Sequence, residues 1–416
     1  MLDINRIRNN KEEVRRALLK RLPENSFDLD AVITLDDTRK KLLTEVEVLK
    51  AERNKNSKTK PTPEMIAKMK AVGSQIKELD EKISQTEAQL KETLSELPNL
   101  PADDVVAGGK ENNRVLRTVG KKPEFKFVAK DHVELAESLE LIDYERGAKM
   151  SGSGFWVYKG TGAILEWALL NYFIEFHRKN KYEFLLPPYL LTEKSAYTSG
   201  HLPKFKDDLF WTQDGLCLDA TSEMMALNYH RDEVLAEKEL PKKYFAYSAC
   251  FRREAGSYRK EERGMVRGHQ FNKVEMFQFV TPQTSWEAFD EVVKNAETLV
   301  RALGLHFQSV QLAAGDASAA MAKTIDIEVW IPSMGIFKEV SSCSNGLDYQ
   351  ARRGNIKYRN ASGENAFLHT LNASGLATSR LIPAILEQFQ QKDGSVVVPK
   401  VLQKFVGMKV IKPAKK

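Results

Sequence analysis

The sequence feature that most constrains the fold is a seven-residue spacing of apolar side chains through residues 32–97. The fuller series in the second half of this region is Met69, Ile76, Ile83, Leu90 and Leu97. The first half repeats the spacing at Leu35, Leu42 and Leu49, while Arg39 and Arg53 interrupt its companion series. Helices with this repeat bury one apolar seam against each other. Because a proline-containing break at residues 56–63 separates the halves, we predict an antiparallel coiled-coil hairpin over residues 30–97.

The turn of this predicted hairpin is basic. Arg53, Lys55, Lys58 and Lys60 all lie beside it in the sequence. A charge run at a helix end is more often only solvated surface. A hairpin whose second helix is about 50 Å long and buries only its own seam should project, however, and a basic projecting end suits a phosphate backbone. These four residues are therefore candidate contacts to the phosphate backbone of a nucleic acid.

Composition narrows the class of protein. The chain has 416 residues, enough for two or three domains, and its net charge of +6 permits a polyanionic partner without demanding one. The three cysteines are far apart in the sequence, which indicates neither a disulfide framework nor a structural zinc site. The polar N-terminus and the absence of a membrane-length apolar run favour a cytoplasmic protein.

A polar linker that begins at Pro98 and Pro101 ends the helical region. We predict one domain over residues 1–110 and a second over residues 111–416. In the second, the apolar spacing of residues 131–146 and 161–177 predicts helices.

Residues 251–279 predict a hairpin of two antiparallel strands with a long charged loop. Arg252, at the end of the first strand, presents a planar cation that suits phosphate. Phe271 offers a flat face to a nucleobase, and Glu275 offers a carboxylate to an ammonium group. The plainer alternative is a surface hairpin whose charges pair with one another.

The order of residues in this hairpin resembles motif 2 of the class II aminoacyl-tRNA synthetases. The seryl-tRNA synthetase version is the one resembled by the strings FRREAGS and HQFNKVE. Motif 1 is resembled by residues 161–188, which end in two prolines, and motif 3 by LHTLNASGLATSRLIPAIL. The resemblance extends to SGHLPKF, to FKEVSSCS and to the helical arm, and so covers nearly the whole chain. It implies an α+β fold, with an antiparallel sheet flanked by helices, and makes residues 111–416 the class II catalytic domain.

The resemblance also implies the site residues, each carried over at a matching position. The catalytic residues would be Arg252, Glu339 and Arg380. The serine-binding residues would be Thr221, Ser222, Glu223, Arg252, Glu275, Asn372 and Ser374. The ATP-binding residues would be Arg252, Arg253, Glu254, Gly268, Phe271, Glu339, Val340, Ser341, Ser342 and Arg380. Glu339 and Ser342 would also hold Mg²⁺. The tRNA-binding residues, all at the turn of the helical arm, would be Arg53, Lys55, Lys58 and Lys60.

The implied activity is the ATP-dependent joining of L-serine to tRNA(Ser) by a homodimer, with tRNA(Sec) an open question as a second acceptor. Two alternatives belong to other classes of protein. A synthetase paralogue that loads a carrier protein lacks the long arm, so residues 32–97 argue against it. A non-catalytic tRNA-binding protein of this fold should have broken motifs, whereas Arg252, Glu254, Glu339 and Arg380 are all present.

Overall fold

A computed structural model describes residues 1–56, 62–254 and 264–413. The chain divides into two compact units, Met1–Leu100 and Pro101–Lys416. Within the described ranges, every helix is too short or too polar to cross a membrane.

The first unit is helical throughout its ordered elements. Its helices are α1 Ile4–Asn9, α2 Lys11–Leu18, α3 Leu29–Asn56 and α4 Pro63–Glu96. The two long helices run antiparallel. Ion pairs between Lys50 and Asp80 and between Lys68 and Glu52 show this direction. Their seam buries the predicted heptad residues, among them Val46, Ile76 and Ile83. The predicted coiled-coil hairpin is confirmed.

A buried carboxylate explains why arginine interrupts the heptads at position 39. Asp36 is fully buried and accepts hydrogen bonds from Arg8, Arg39 and Lys40 at 2.8, 3.0 and 2.8 Å. Burial opposes the charge, but the three cations outweigh it and lower the pKa of Asp36 to about 2. The arginine at the seam therefore neutralises a charge that ties the long hairpin to α1.

The second unit is built around one large sheet. Its helices are α5 His132–Ser138, α6 Tyr144–Ser151, α7 Thr161–Lys179, α8 Glu193–Ser199, α9 Ser222–Asn228, α10 Ser285–Ala302, α11 Tyr349–Gly354, α12 Thr378–Gln388 and α13 Gln403–Val406. Its strands are β1 Arg114–Val119, β2 Ile142–Asp143, β3 Val157–Tyr158, β4 Glu183–Leu185, β5 Leu190–Thr192, β6 Leu216–Leu218, β7 Val234–Ala236, β8 Lys242–Phe251, β9 Gln270–Val280, β10 Phe307–Gln311, β11 Lys323–Ile331, β12 Ile336–Leu347, β13 Lys357–Arg359, β14 Asn365–Phe367, β15 His369–Ala377, β16 Val396–Val397 and β17 Val410–Ile411.

The eight strands of the large sheet lie in the order β1-β10-β11-β12-β15-β9-β8-β4. Every neighbouring pair is antiparallel except the last, in which the short β4 runs parallel to β8. This confirms the predicted α+β fold. It also confirms the hairpin of residues 251–279, whose strands pair from Phe251 opposite Gln270; loop residues 255–263 lie outside the described chain.

The core lies where α7, α10 and α12 pack against this sheet. Its largest fully buried side chains include Phe173 of α7, Phe289 of α10 and Phe245 of β8. Alternation along β9 sends Val274 and Met276 into this core, so Lys273 and Glu275 face the opposite side of the sheet. One face of the sheet is therefore committed to packing, and the other is available for chemistry.

We expect Asp36→Asn to destabilise the helical unit by about 2 kcal/mol at pH 7, because the folded carboxyl group has a pKa of about 2 against an unfolded value of about 3.9. A depressed folded pKa stabilises above the unfolded pKa, and this stabilisation is lost as the pH falls from about 4 to about 2. The difference between parent and variant should thus be about half as large at pH 3. Thermal unfolding followed by circular dichroism measures it.

The matched control is Asp37→Asn, since Asp37 also contacts Arg8 but its side chain is 57% exposed. That variant should change stability by less than about 1 kcal/mol. Equal losses in the two variants would contradict a special role for the buried carboxylate.

Candidate active site

The free face of the sheet carries a cavity of about 440 Å³ over β9, β12 and β15. Nine predicted site residues lie in its wall: Thr221, Glu223, Arg252, Glu254, Glu275, Glu339, Ser342, Asn372 and Ser374. These residues are up to 153 positions apart in the sequence, from Thr221 to Ser374. The fold thus brings together residues from motif 2, from motif 3, from the segment between them and from α9, which precedes motif 2.

The remaining predicted residues of the second unit stand behind or beside this wall: Ser222, Arg253, Gly268, Phe271, Val340, Ser341 and Arg380. Val340 and Ser341 are buried, and the Ser341 hydroxyl donates to the Ser374 carbonyl at 2.5 Å. Ser222 is also buried, with its hydroxyl 2.6 Å from that of Ser248. A Cβ on Gly268 would meet the Trp156 ring at 2.2 Å, so the chain needs glycine there.

The hairpin holds its charged groups at the edge of the cavity. The Arg252 main-chain N–H donates to the His269 carbonyl at 2.9 Å, across the two strand ends. This places the Arg252 guanidinium 5.2 Å from the centre of the Phe271 ring. Glu254 forms an ion pair with Arg267, which also lies in the wall. A cation, a flat ring and a carboxylate therefore lie side by side.

Buried charges concentrate where β9 faces the start of α9. The Lys273 ammonium lies 3.0 Å from the Glu275 carboxylate and donates to the Thr221 hydroxyl at 2.6 Å. Glu223, the second residue of α9, accepts a hydrogen bond from the Gln350 amide at 2.6 Å. Burial, and then repulsion by Glu275, raises the pKa of Glu223 to about 7. Fixed, buried polar groups suit recognition of a small, strongly polar ligand.

Oxygen ligands cluster on β11 and β12. The Ser342 hydroxyl donates to the Asp326 carboxylate at 2.7 Å. Glu339 lies three residues before Ser342 on β12. Burial, and then repulsion by Glu339, raises the pKa of Asp326 well above its usual range. A divalent cation would relieve this repulsion, and carboxylate and hydroxyl oxygens are ligands that Mg²⁺ accepts. The residues present therefore fit a magnesium ion.

Arg380 links motif 3 to this cluster. Its guanidinium donates to the Glu339 main-chain carbonyl at 2.8 Å and lies 3.4 Å from the Glu339 carboxylate. A second bond, at 3.3 Å, goes to the Val266 carbonyl near the end of the hairpin loop. Arg380 is thus held between β12 and the end of the hairpin loop.

Several wall residues were missed by the sequence prediction. His201 and Lys273 lie in the wall, and Asp326 lies just behind Ser342. The Nδ1 atom of His201 lies 2.8 Å from the Ser199 hydroxyl; burial, and then repulsion by Arg252 and Lys273, lowers its pKa to about 3. The strings SGHLPKF and HQFNKVE contain the first two, so the signal was present. Asp326 had none beyond its strand pattern.

The predicted tRNA contacts belong to the first unit. Arg53 and Lys55 are exposed in the last turn of α3. Lys58 and Lys60 lie outside the described residues.

Comparison with known proteins agrees with this geometry. The seryl-tRNA synthetase N-terminal domain matches residues 1–101, and the class II core domain of tRNA synthetases (G, H, P, S and T) matches residues 204–389. A serine--tRNA ligase 2 of Clostridium acetobutylicum is 53% identical, over 98% of this chain and 99% of that protein.

Solved structures agree in fold. Seryl-tRNA synthetase from Pyrococcus horikoshii, complexed with ATP, has a TM-score of 0.93 at 34% identity, and each chain is covered completely. The cytoplasmic serine-tRNA ligase from Naegleria fowleri, in complex with AMP, has a TM-score of 0.87 at 32% identity, covering 100% of this chain and 99% of that one. With its motifs, its fold and these full-length relatives in agreement, the chain belongs to the seryl-tRNA synthetase family of class II aminoacyl-tRNA synthetases.

Proposed function

We propose that this chain is a serine--tRNA ligase that activates L-serine with ATP and transfers it to the 3′-terminal adenosine of tRNA(Ser). One observation carries the proposal: a single cavity combines a cation suited to binding phosphate, oxygen ligands for a metal and a buried polar pocket. In the first step the serine carboxylate attacks the α-phosphate of ATP, and pyrophosphate leaves. In the second, a ribose hydroxyl of the tRNA takes the seryl group and AMP leaves.

The ATP end is built from the hairpin and α12. Arg252 binds the α-phosphate, where charge accumulates as the serine carboxylate attacks. Phe271 stacks on adenine, and Glu254 accepts a hydrogen bond from its amino group. Arg380 binds the γ-phosphate and orients the leaving pyrophosphate. Supported by contacts to two main-chain carbonyls, Arg380 loses little freedom when ATP binds.

Glu339 and Ser342 would hold Mg²⁺, with Asp326 behind Ser342 as an additional acidic partner. When bound, the ion would neutralise phosphate charge. In the described part of the chain no three acidic, histidine or cysteine side chains form a metal site by themselves. Such a site depends on phosphate oxygens to complete its ligands, as magnesium sites in nucleotide enzymes commonly do.

The serine end is the buried pocket. Glu275 pairs with the substrate ammonium group, while Thr221, Glu223 and Ser374 surround the side-chain hydroxyl. Asn372 completes the wall, and Ser222 supports it from behind through its contact with Ser248. Lys273 balances part of the negative charge of the two carboxylates. Asn372 leaves its amide oxygen buried without a hydrogen bond among the described residues, which suits a ligand that brings a donor.

The enzyme works as a homodimer, because α7 and the segment after it leave apolar side chains uncovered. Trp167 is 53% exposed and Leu186 is 72% exposed, with Ile164, Phe184 and Leu190 also exposed. Isolated monomers rarely expose so many large apolar groups on adjoining elements. A second copy of the same surface would cover them in a two-fold dimer.

The arm binds the phosphate backbone of tRNA(Ser) through Arg53, Lys55, Lys58 and Lys60. We place the enzyme in the cytoplasm, where tRNA is charged, and leave tRNA(Sec) as a second acceptor to be tested. A carrier-protein ligase is not favoured, since the N-terminal arm domain is present in full.

We expect Thr221→Val and Glu223→Gln each to raise the KM for serine at least tenfold and to leave the KM for ATP within about twofold, because a buried polar group would lose its hydrogen-bonding partner. Serine-dependent pyrophosphate exchange measures both constants. Thr221 also caps α9, so Thr192→Val, which removes a comparable cap from α8, is the control. An equal increase in the KM for serine in the control would mean that the lost helix cap causes the effect. That result would contradict the assignment of Thr221 to the serine pocket.

Arg252→Ala and Arg380→Ala should each lower pyrophosphate exchange at least a hundredfold without unfolding the protein. The lysine variants should recover only a small part of this loss, because lysine cannot reproduce the planar fork of hydrogen-bond donors. Arg359→Ala, on the exposed part of β13, provides the control. Near-normal exchange in both alanine variants would refute the phosphate assignment.

Shortening the arm should separate the two steps. Replacing residues 47–79 by a short Gly-Ser linker keeps the Asp36 cluster and the Arg39–Glu87 ion pair but removes the basic turn. Exchange should stay within about threefold of the parent, because every residue of the cavity wall belongs to Pro101–Lys416, whereas tRNA charging should fall at least a hundredfold.

The triple charge reversal of Lys55, Lys58 and Lys60 to glutamate should weaken tRNA binding and reduce its salt dependence. Lys82→Glu, farther along the same hairpin, is the matched control. Normal charging by the shortened arm would contradict the proposed division of labour.

A further inference from the structure

A buried glutamate behind the active site joins the three motif elements, and the reaction described above leaves it unused. Glu166 lies on α7 between Leu165 and Trp167 and is only 2% exposed. One of its carboxylate oxygens accepts hydrogen bonds from the Asn272 amide at 2.7 Å and from the Thr378 hydroxyl at 2.5 Å. The Thr378 hydroxyl also lies 3.1 Å from the Asn272 carbonyl.

The two partners of Glu166 are close in sequence to the ATP-binding residues. Asn272 lies between Phe271 and Lys273 on β9, and strand alternation turns it to the opposite face. It therefore holds from behind the part of β9 whose front carries Phe271. Thr378 begins α12, two residues before Arg380. A single carboxylate thus fixes the strand that carries the adenine-stacking ring relative to the helix that carries Arg380.

Helix α7 also reaches Asn272 by a second route, which begins at the exposed apolar surface. The Trp167 ring, which is half exposed, lies 5.9 Å from the Tyr247 ring of β8. The Tyr247 hydroxyl donates to the Asn272 side-chain carbonyl at 3.0 Å. Two successive residues of α7 are thus linked to Asn272: Glu166 directly, and Trp167 through Tyr247.

We propose that Glu166 is a positioning residue for ATP: it holds Phe271 and Arg380 in the spacing that the nucleotide needs and ties both to the helix whose outer side carries Ile164 and Trp167. This inference rests on the proposed function for the roles of Phe271 and Arg380. It adds a physical route by which the apolar outer side of α7 affects the ATP site. Glu275 lies three residues from Asn272, and Ser374 lies four residues from Thr378, so the serine contacts are affected less.

The protonation of Glu166 guides the choice of variants. Burial raises its pKa to about 7, against the opposing effect of the hydrogen bonds from Thr378 and Asn272. Glutamine is uncharged and keeps an oxygen that accepts both hydrogen bonds, so Glu166→Gln tests whether the bonds suffice without the charge. Glu166→Leu removes them, and Thr378→Val removes only one donor with little change in volume. Glu175→Gln is the matched control, because Glu175 lies on the same helix but pairs with Lys179 and Lys404.

The experiment measures KM for ATP and KM for serine separately in pyrophosphate exchange by the full-length variants. Glu166→Leu should raise KM for ATP at least tenfold and KM for serine less than threefold. Glu166→Gln and Glu175→Gln should stay within threefold of the parent for both substrates. Thr378→Val should raise KM for ATP three- to tenfold, and adding it to Glu166→Leu should cause no further increase, because the shared bond is already lost.

An unchanged KM for ATP in both Glu166→Leu and Thr378→Val would overturn the proposal, and so would equal increases for the two substrates. If Glu166→Leu does not fold, Thr378→Val alone decides between these outcomes. Calorimetric titration with a non-hydrolysable ATP analogue separates this inference from the proposed function. Loss of analogue binding in Glu166→Leu would support the positioning role even if the parent showed no serine-dependent exchange.

Discussion

A slip of one residue in the pairing of β15 with β9 would turn Lys273 and Glu275 from the cavity into the apolar core. In the observed register, Ser374 of β15 lies opposite Glu275 of β9. On the other side of the cavity, the pairing of β11 with β12 places Asp326 opposite Ser342. Val274 and Met276 fix this register, since they are fully buried on the helix-covered face. The site chemistry therefore depends on core packing one residue away.

The cavity concentrates charge at an energetic cost that only substrates offset fully. Lys273, Glu275 and Glu223 are all buried, and removing such groups from water is unfavourable even when they are paired. Raised pKa values at Glu223 and Asp326 are the visible consequence of burial and of like charges close together. A bound ammonium group and a metal cation would each bring the opposite charge. Such a site trades folding stability for preorganisation.

Sequence reasoning predicted the parts of this protein that have strong local patterns. The heptads predicted α3 and α4, and the alternation and charge of residues 251–279 predicted β9 and the end of β8. It failed where tertiary contacts decide. Residues 131–146 have helical spacing but form two helices, because Ile142 and Asp143 pair with β3 instead. Likewise, no spacing shows that Glu166 and Asn272, 106 positions apart, meet behind the active site.

The central claim is that the cavity activates serine in preference to other amino acids, and it is tested most directly by pyrophosphate exchange with each of the twenty amino acids in turn. Serine should support exchange well above the other nineteen, with alanine lower by a factor of at least about a thousand, because its methyl group leaves the polar pocket unpaired. Preferred activation of another amino acid, or no exchange with serine by a folded protein that binds ATP, would contradict the account.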